Sequence, residues 1–386
     1  MKKLTVLLAV LAAFMTFPVN AGAVPANDGI PLSAECAVVI NADTNCIIYG
    51  KNETKQHAMA STTKIMTALI TLESGDLDTP FTADSMALHV EGTSMGLREG
   101  DTVTRRALCY GMLLPSGNDA ANAAAVNIAG SLSAFAELMN RRAEKIGMTG
   151  THFVNPSGLD ADGHYTTAYD MALLAAEALR NEDFRAICGL KSAKVSFGSP
   201  VSTRTLRNSN KMLSMYEGCI GVKTGFTDNA GRCLVTAAER NGCTVVAVTL
   251  HASDDWNDHK KLLDLGFEHV KPFTVQTEAF SETVAGGTAD FVPVSAGENP
   301  VLGLTDAEAA RLTVTYDMPP FVYAEINQGD IVGYADVKLG DKTLKRVPLR
   351  AGESVARAEP VGSEFERIVK KITGALVIEK TGRKTA

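Results

Sequence analysis

The stretch "MASTTKIMTALI", residues 59–70, sets Ser61 three positions before Lys64 at the head of an apolar-periodic segment. Ile65, Met66, Leu69, Ile70 and Leu72 recur at helical spacing, which predicts a helix over 61–73. Two readings compete. Ser61 caps the helix and Lys64 is a surface charge, or Ser61 is a nucleophile and Lys64 its base, since i and i+3 share a helix face. Ser-x-x-Lys arises by chance about once per 300 residues at average composition. The pair alone therefore favours the cap, and the rest of the chain must decide.

The chain has 386 residues, 45% hydrophobic and 21% charged, enough for two or three domains with a large core. Its formal charge is −7 with no basic blocks, which excludes a nucleic-acid footprint. Residues 1–23, "MKKLTVLLAVLAAFMTFPVNAGA", join a positive start, an apolar run and a small-residue cleavage site. That is the pattern of a secretory signal peptide, and its apolar run is short for a membrane span. Removing it takes away Lys2 and Lys3 and moves the net charge from −7 to −9. Seven cysteines without a CxxC read mostly as small buried apolar residues, with no disulfide assignable. Seven histidines without HExxH or HxH spacing give no zinc motif, so neither a metal nor another cofactor is expected.

Residues 36–52 read as a hairpin around Asn41–Asn45. Two Ala/Leu-rich helical patterns over 97–130 break at Pro115-Ser116-Gly117-Asn118, and further helices are expected over 131–148 and 168–181, separated by the loop 155–167. From 219 the pattern turns to β-branched strands, with Asn241-Gly242 as a hairpin turn, and a helix closes the segment at 256–270. This order predicts an α/β (α+β) catalytic domain over 24–270, its antiparallel sheet flanked by helices and taking strands from both ends of the segment. Residues 271–361 alternate like a small all-β domain. Residues 362–386 carry Phe365, Ile368, Val369, Ile372 and Leu376 on one helical face and a net charge of +3. They suit either peripheral contact with an anionic membrane or docking on their own domain.

Two further elements bear on Ser61. Ser116-Gly117-Asn118 sits in a break between helices, and Lys223-Thr224-Gly225 sits on a strand. The second triplet is rare, about one per few thousand residues by chance. In this order the chemistry is coherent. A serine hydroxyl needs a base, and Lys64 serves only when neutral, which burial and the second cation Lys223 favour. Lys223 stays charged and attracts an anionic substrate end. Ser116 relays a proton, Asn118 holds a substrate carbonyl or orients Lys64, and Thr224 binds a carboxylate. The strand after Gly225 suits strand addition by a peptide. The backbone N–H groups of Ser61 and Phe226 are the expected oxyanion donors.

These three motifs, with "GTSMGLREGD", "THFVNPSGLDADGHYTTAYDMALLA", "NSNKML" and "GVKTGFTDNAGRCLV" in the same order, resemble the low-molecular-mass penicillin-binding proteins, the serine D-alanyl-D-alanine carboxypeptidases. The resemblance spans nearly the whole chain after residue 23. It implies a penicillin-binding/β-lactamase-like fold, a small β-rich domain and often an amphipathic anchor. It also implies removal of the terminal D-alanine from peptidoglycan stem pentapeptides through an acyl-enzyme on Ser61, which β-lactams acylate in the substrate's place, outside the cytoplasmic membrane. The chain departs from the pattern twice. Its last segment has only Phe365 as a bulky aromatic, and Asn208-Ser209-Asn210 stands where some relatives have Asn-Arg-Asn.

Three rival readings remain. A D,D-endopeptidase would use the same residues on a cross-linked substrate. A non-catalytic penicillin-binding sensor would lack one of Ser61, Lys64, Ser116, Asn118, Lys223 or Thr224, and all are present. A β-lactamase would need a glutamate-activated water, and the loop "NPSGLDADG" holds no glutamate.

Overall fold

The computed structural model describes residues 29–358; the expected signal peptide and the C-terminal segment 362–386 lie outside the described residues. The chain forms two compact units. The first runs to Phe273 and also takes in Val301–Ala310; the second comprises Thr274–Pro300 and resumes at Arg311. The sequence reading put a single break at 270, and the return of 301–310 to the first unit is the difference.

The first unit is built on a five-stranded antiparallel sheet. Its strands are β1 (Cys36–Asn41), β2 (Ile47–Lys51), β3 (Cys219–Thr227), β4 (Gly231–Arg240) and β5 (Cys243–Ala252), in the order β2-β1-β5-β4-β3. Strand β1 pairs with β5, Ala37 opposite Thr249, so the two ends of the segment meet in the middle of the sheet. All six residues of β1 are buried because both faces are covered. Alternation sorts them. Cys36, Val38 and Ile40 enter the helical core with Ile65, Leu69 and Phe135. Ala37 and Val39 face Leu262 and Leu263 of the closing helix Asp255–His269. The turn Asn241-Gly242 takes φ of 53° and 77°, the left-handed pair that a two-residue hairpin demands.

The helical layer includes α1 (Lys64–Glu73), α2 (Arg105–Leu113), α3 (Asn118–Ala129), α4 (Leu132–Ile146) and α5 (Ala168–Ala178). Helix α1 is buried along nearly its whole length, Lys64, Thr67 and Thr71 included. Its polar side chains are satisfied internally: the Thr67 hydroxyl donates to Pro156 O at 2.6 Å and that of Thr71 to Thr67 O at 2.7 Å. The helix starts three residues later than its periodicity suggested. Residues Ala60–Thr63 form a 3₁₀ turn instead, and Ser61 makes no capping bond there. The sequence reading assigned no strands between 190 and 210, where the structure forms the hairpin Ser192–Phe197 with Ser202–Arg207.

The returning segment is fastened by polar groups. Asn41 Nδ2 donates to Gly303 O at 2.8 Å and to Glu308 Oε2 at 3.0 Å, while Gly303 N donates to Asp43 Oδ2 at 2.9 Å. Glu308 also accepts from the Thr44 hydroxyl and closes a capping box with Thr305. The second unit is a six-stranded β sheet that includes Leu312–Asp317, Ile331–Leu339 and Lys342–Ala351, the last two joined at the turn expected at 339–342. This is the all-β character its alternation implied.

Burial works against the Glu308 carboxylate, but donors from Thr305, Thr44, Cys46 and Asn41 outweigh it and hold its pKa below the ordinary 4.5. Its contribution to stability is therefore present above about pH 4.5 and lost as pH falls through the folded-state value. Glu308→Gln should lower stability by about 1–3 kcal/mol at pH 7 in urea unfolding. The gap from wild type should narrow as the buffer is acidified towards pH 3; a gap that is constant with pH would contradict this.

Candidate active site

The turn that carries Ser61 is strained and tightly held. Ala60 sits at φ +47°, which a residue with a Cβ seldom adopts. The Thr62 hydroxyl donates to Met59 O at 2.6 Å and the Thr63 hydroxyl to Ala60 O at 2.8 Å. Gly158 closes over the turn, and a Cβ there would come within 2.0 Å of Ala60 O. His164 supports Thr63 from below: its Nδ1 accepts from Val154 N at 3.0 Å, so its Nε2–H is the donor to the Thr63 hydroxyl at 2.9 Å. Burial first, then the nearby His152, lowers the His164 pKa to about 4, which keeps this neutral tautomer at neutral pH.

Helix α1 then aims Lys64 back at Ser61. The Lys64 amine lies 2.8 Å from Ser61 Oγ and donates to Ser157 O at 2.5 Å. It is fully buried. Burial holds its pKa well below the usual lysine range; the Lys223 cation lowers it further, and Asp119 opposes the shift only in part. The Ser157 carbonyl is itself positioned, because Asn155 Oδ1 accepts from Ser157 N at 3.2 Å and from Gly158 N at 2.7 Å.

Lys223 is also buried, on β3, and donates to Thr224 O at 2.7 Å. Burial alone brings its pKa to about 7. The sequence reading had Lys223 permanently charged. With so little water around it, its charge in the unliganded protein is instead only partly held near neutrality, and an anion beside it would restore the charge. Burial and the neighbouring cation disfavour the charge on Lys64 as well, so the two lysines do not readily carry charge together.

The break between α2 and α3 presents the second motif. Ser116 takes φ +68° and accepts from the Thr93 hydroxyl at 2.6 Å through its carbonyl. Asn118 Nδ2 donates to Glu91 O at 2.7 Å, while its buried Oδ1 has no hydrogen-bond partner among the described residues. One amide hydrogen is thus committed to the protein, while the other and the carbonyl oxygen remain for a substrate or for Lys64. Asp119, next in the chain, gathers the segment 94–97. It accepts from Met95 N at 2.8 Å, Leu97 N at 3.0 Å and the Ser94 hydroxyl at 2.6 Å.

Strand β3 is the free edge of the sheet and carries the third motif. A Cβ at Gly225 would lie 3.0 Å from both Ser61 N and Thr62 N, so glycine lets the strand run directly alongside the nucleophile's backbone. The Thr224 hydroxyl meets that of Ser209 at 2.7 Å. Phe226 is exposed at the rim. Together these elements line one cleft of about 530 Å³ that reaches from Ser61, Ser116 and Asn118 to Thr224, Phe226 and Arg232. Arg232 lies opposite Phe226 in the β3–β4 ladder, pairs with Asp255 and stacks 5.6 Å from the Trp256 ring centre.

The structure therefore gathers Ser61, Ser116, Asn118, Thr224, Gly225 and Phe226 around one cleft, with Lys64 and Lys223 buried behind it. Sequence reasoning did not single out Asp119, Ser157, His164 or Arg232. Of these, Ser157 and His164 lie in the loop 155–167 noted above; Asp119 and Arg232 act through partners more than 20 residues away.

A buried lysine amine whose charge is disfavoured, set on a serine hydroxyl at the edge of an antiparallel sheet, defines an enzyme of the serine acyl-transfer class. Residues 23–254 match the family model described as D-alanyl-D-alanine carboxypeptidase, and residues 267–357 match that of the penicillin-binding protein 5 C-terminal domain. The chain belongs to the D-alanyl-D-alanine carboxypeptidase family of serine peptidases. It is 31% identical over 338 residues to the D-alanyl-D-alanine carboxypeptidase DacF of Bacillus subtilis, covering 84% of this chain and 86% of that one. It is 31% identical over 333 residues to DacC of Escherichia coli, covering 81% and 82%. Among solved structures, the carboxypeptidase DacD of Francisella tularensis superposes with a TM-score of 0.60 at 27% identity, covering 85% of this chain and 95% of that one.

Gly225→Ala should push β3 away from Ser61 and Thr62 while leaving the sheet paired. We expect penicillin acylation to slow by about 10²-fold, a displacement effect near the reacting atoms, with little change in melting temperature. Acylation within twofold of wild type would refute the close-approach argument.

Proposed function

We propose that this protein is a D,D-carboxypeptidase that removes the terminal D-alanine from peptidoglycan stem pentapeptides through an acyl-enzyme on Ser61, and that β-lactams acylate the same oxygen. The observation that carries this reading is the buried Lys64 amine 2.8 Å from Ser61 Oγ. Neutral Lys64 takes the hydroxyl proton as Oγ attacks the carbonyl of the penultimate D-alanine. The backbone N–H groups of Ser61 and Phe226 receive the oxyanion. The C–N bond then breaks, Ser116 passes a proton to the departing amine, and water, activated by the same lysine, releases the shortened peptide.

The free edge of β3 supports strand addition by the substrate. Lys223 and the Thr224 hydroxyl take its terminal carboxylate. Asn208-Ser209-Asn210 supplies no cation, and Arg232 on the cleft wall fills that part, with Asp255 holding its guanidinium in place. Asn118 Oδ1 orients Lys64 or a substrate N–H. The enzyme acts outside the cytoplasmic membrane, exported by residues 1–23, with residues 362–386 making peripheral membrane contact. No helix among the described residues is long and apolar enough to cross a membrane.

The test is release of D-alanine from a diacylated pentapeptide analogue, with penicillin as the block. Wild type should release D-alanine and Ser61→Ala should lose at least about 10³-fold of that rate together with penicillin labelling. Stoichiometric labelling without D-alanine release would replace this reading with a penicillin sensor.

A further inference from the structure

Away from the cleft, three segments bring Glu35, His57 and His251 together. One ligating atom from each lies within 4.8 Å of the others. Glu35 sits just before β1 and donates its backbone N–H to His251 O at 3.1 Å, so the two residues are neighbours across the β1–β5 ladder. The His57 backbone is fixed by a two-way bridge to Thr166 at 2.8 and 2.9 Å. The imidazoles of His57 and His251 are 5.3 Å apart between centroids.

The hydrogen bonds prepare these side chains as ligands. His57 Nδ1 lies 2.9 Å from Ala58 O, a bond only an N–H can make. Its Nε2 is therefore the lone-pair nitrogen, and it faces Glu35 Oε2 at 3.9 Å. Metal-bound histidines characteristically donate their other nitrogen to a carbonyl or carboxylate in this way. Glu35 divides its oxygens: Oε1 accepts from Lys55 Nζ at 2.6 Å, which orients the carboxylate and leaves Oε2 for the cluster. Gly231 leaves room for the second ring; a Cβ there would stand 2.8 Å from His251 Nδ1. His251 is exposed, so water reaches the fourth side.

We propose that Glu35, His57 and His251 form a binding site for Zn²⁺, with water as the fourth ligand. Two imidazoles and one carboxylate are a known tetrahedral zinc set, at about 2.0–2.2 Å from the metal. Ligands at that radius are roughly 3.4 Å apart, so the present spacing closes by about an ångström or less at His57 and Glu35. A single carboxylate oxygen with two nitrogens does not suit Mg²⁺ or Ca²⁺, which take oxygen sets. The absence of local histidine spacing missed this arrangement because its ligands come from positions 35, 57 and 251. The site would tie the segment leading from His57 to Ser61 onto β1 and β5, the central strands. Its role is to brace the nucleophile's turn; it takes no part in the acyl transfer.

The test is calorimetric titration of chelator-stripped protein with Zn²⁺, alongside thermal melts. Wild type should bind one Zn²⁺ per chain and melt several degrees higher with it, and Mg²⁺ should give no shift. Glu35→Gln and His251→Gln should each weaken Zn²⁺ binding at least tenfold while leaving the metal-free melting temperature near wild type. His251 is on the surface, so its variant keeps the test decisive even where the Glu35 variant folds poorly. Failure of wild type to bind Zn²⁺, or undiminished binding in His251→Gln, would overturn the proposal.

Discussion

A lysine amine with no water to hold its charge is the constraint on which the rest of the catalytic unit depends. Lys64 is sealed against Ser61, and each pKa unit by which its surroundings disfavour the cation is about 1.4 kcal/mol between its two states. A partly charged Lys223 adds to that pressure. The amine still needs a hydrogen-bond acceptor, and the Ser157 carbonyl is delivered to it by a loop that Asn155 ties. That loop can approach only because residue 158 has no Cβ, and β3 can approach from the other side only because residue 225 has none. Backbone strain at Ala60 and Ser116 is tolerated because the neighbouring hydrogen bonds leave those segments no alternative path.

How much of this was legible in sequence follows from the range of each interaction. The helical period of 65–72, the break at 115–118 and the Asn241-Gly242 turn are local signals, and each element formed within a few residues of its expected place. The two ends of the first segment were expected to share a sheet, and β1 pairs with β5. The opening pair was half legible. Three positions put Lys64 within reach of Ser61, but the 3₁₀ turn did not show in an apolar period that runs smoothly from 65. Ser61 does not cap the helix, because its oxygen is turned to the amine. Asp119 and His164 were invisible because their partners, Met95 and Thr63, lie 24 and 101 residues away. The segment 301–310 opens on a short strand like its neighbours, and its Thr305/Glu308 capping box marks a helix start but not the unit it joins. What fixes it there is Glu308, whose carboxylate accepts from Asn41 and Thr44, more than 260 residues distant.

Charge explains the correction at Lys223. A lysine in a Lys-Thr-Gly triplet reads as a cation, since free lysine is one. Buried on a strand with a single carbonyl acceptor, it sits near the midpoint of its titration at neutral pH. An anion beside it would favour its charged form, and a charged Lys223 favours the free amine of Lys64. The two buried lysines thereby disfavour each other's charge, a coupling that reaches the base.

That coupling rests on the state of Lys64, which an NMR titration of isotopically labelled lysine side chains reads directly, with Lys64→Arg identifying the resonance. The account predicts that the Lys64 amine of the unliganded enzyme loses its proton well below the ordinary 10.5. A Lys64 amine that stays protonated up to pH 10 would contradict it.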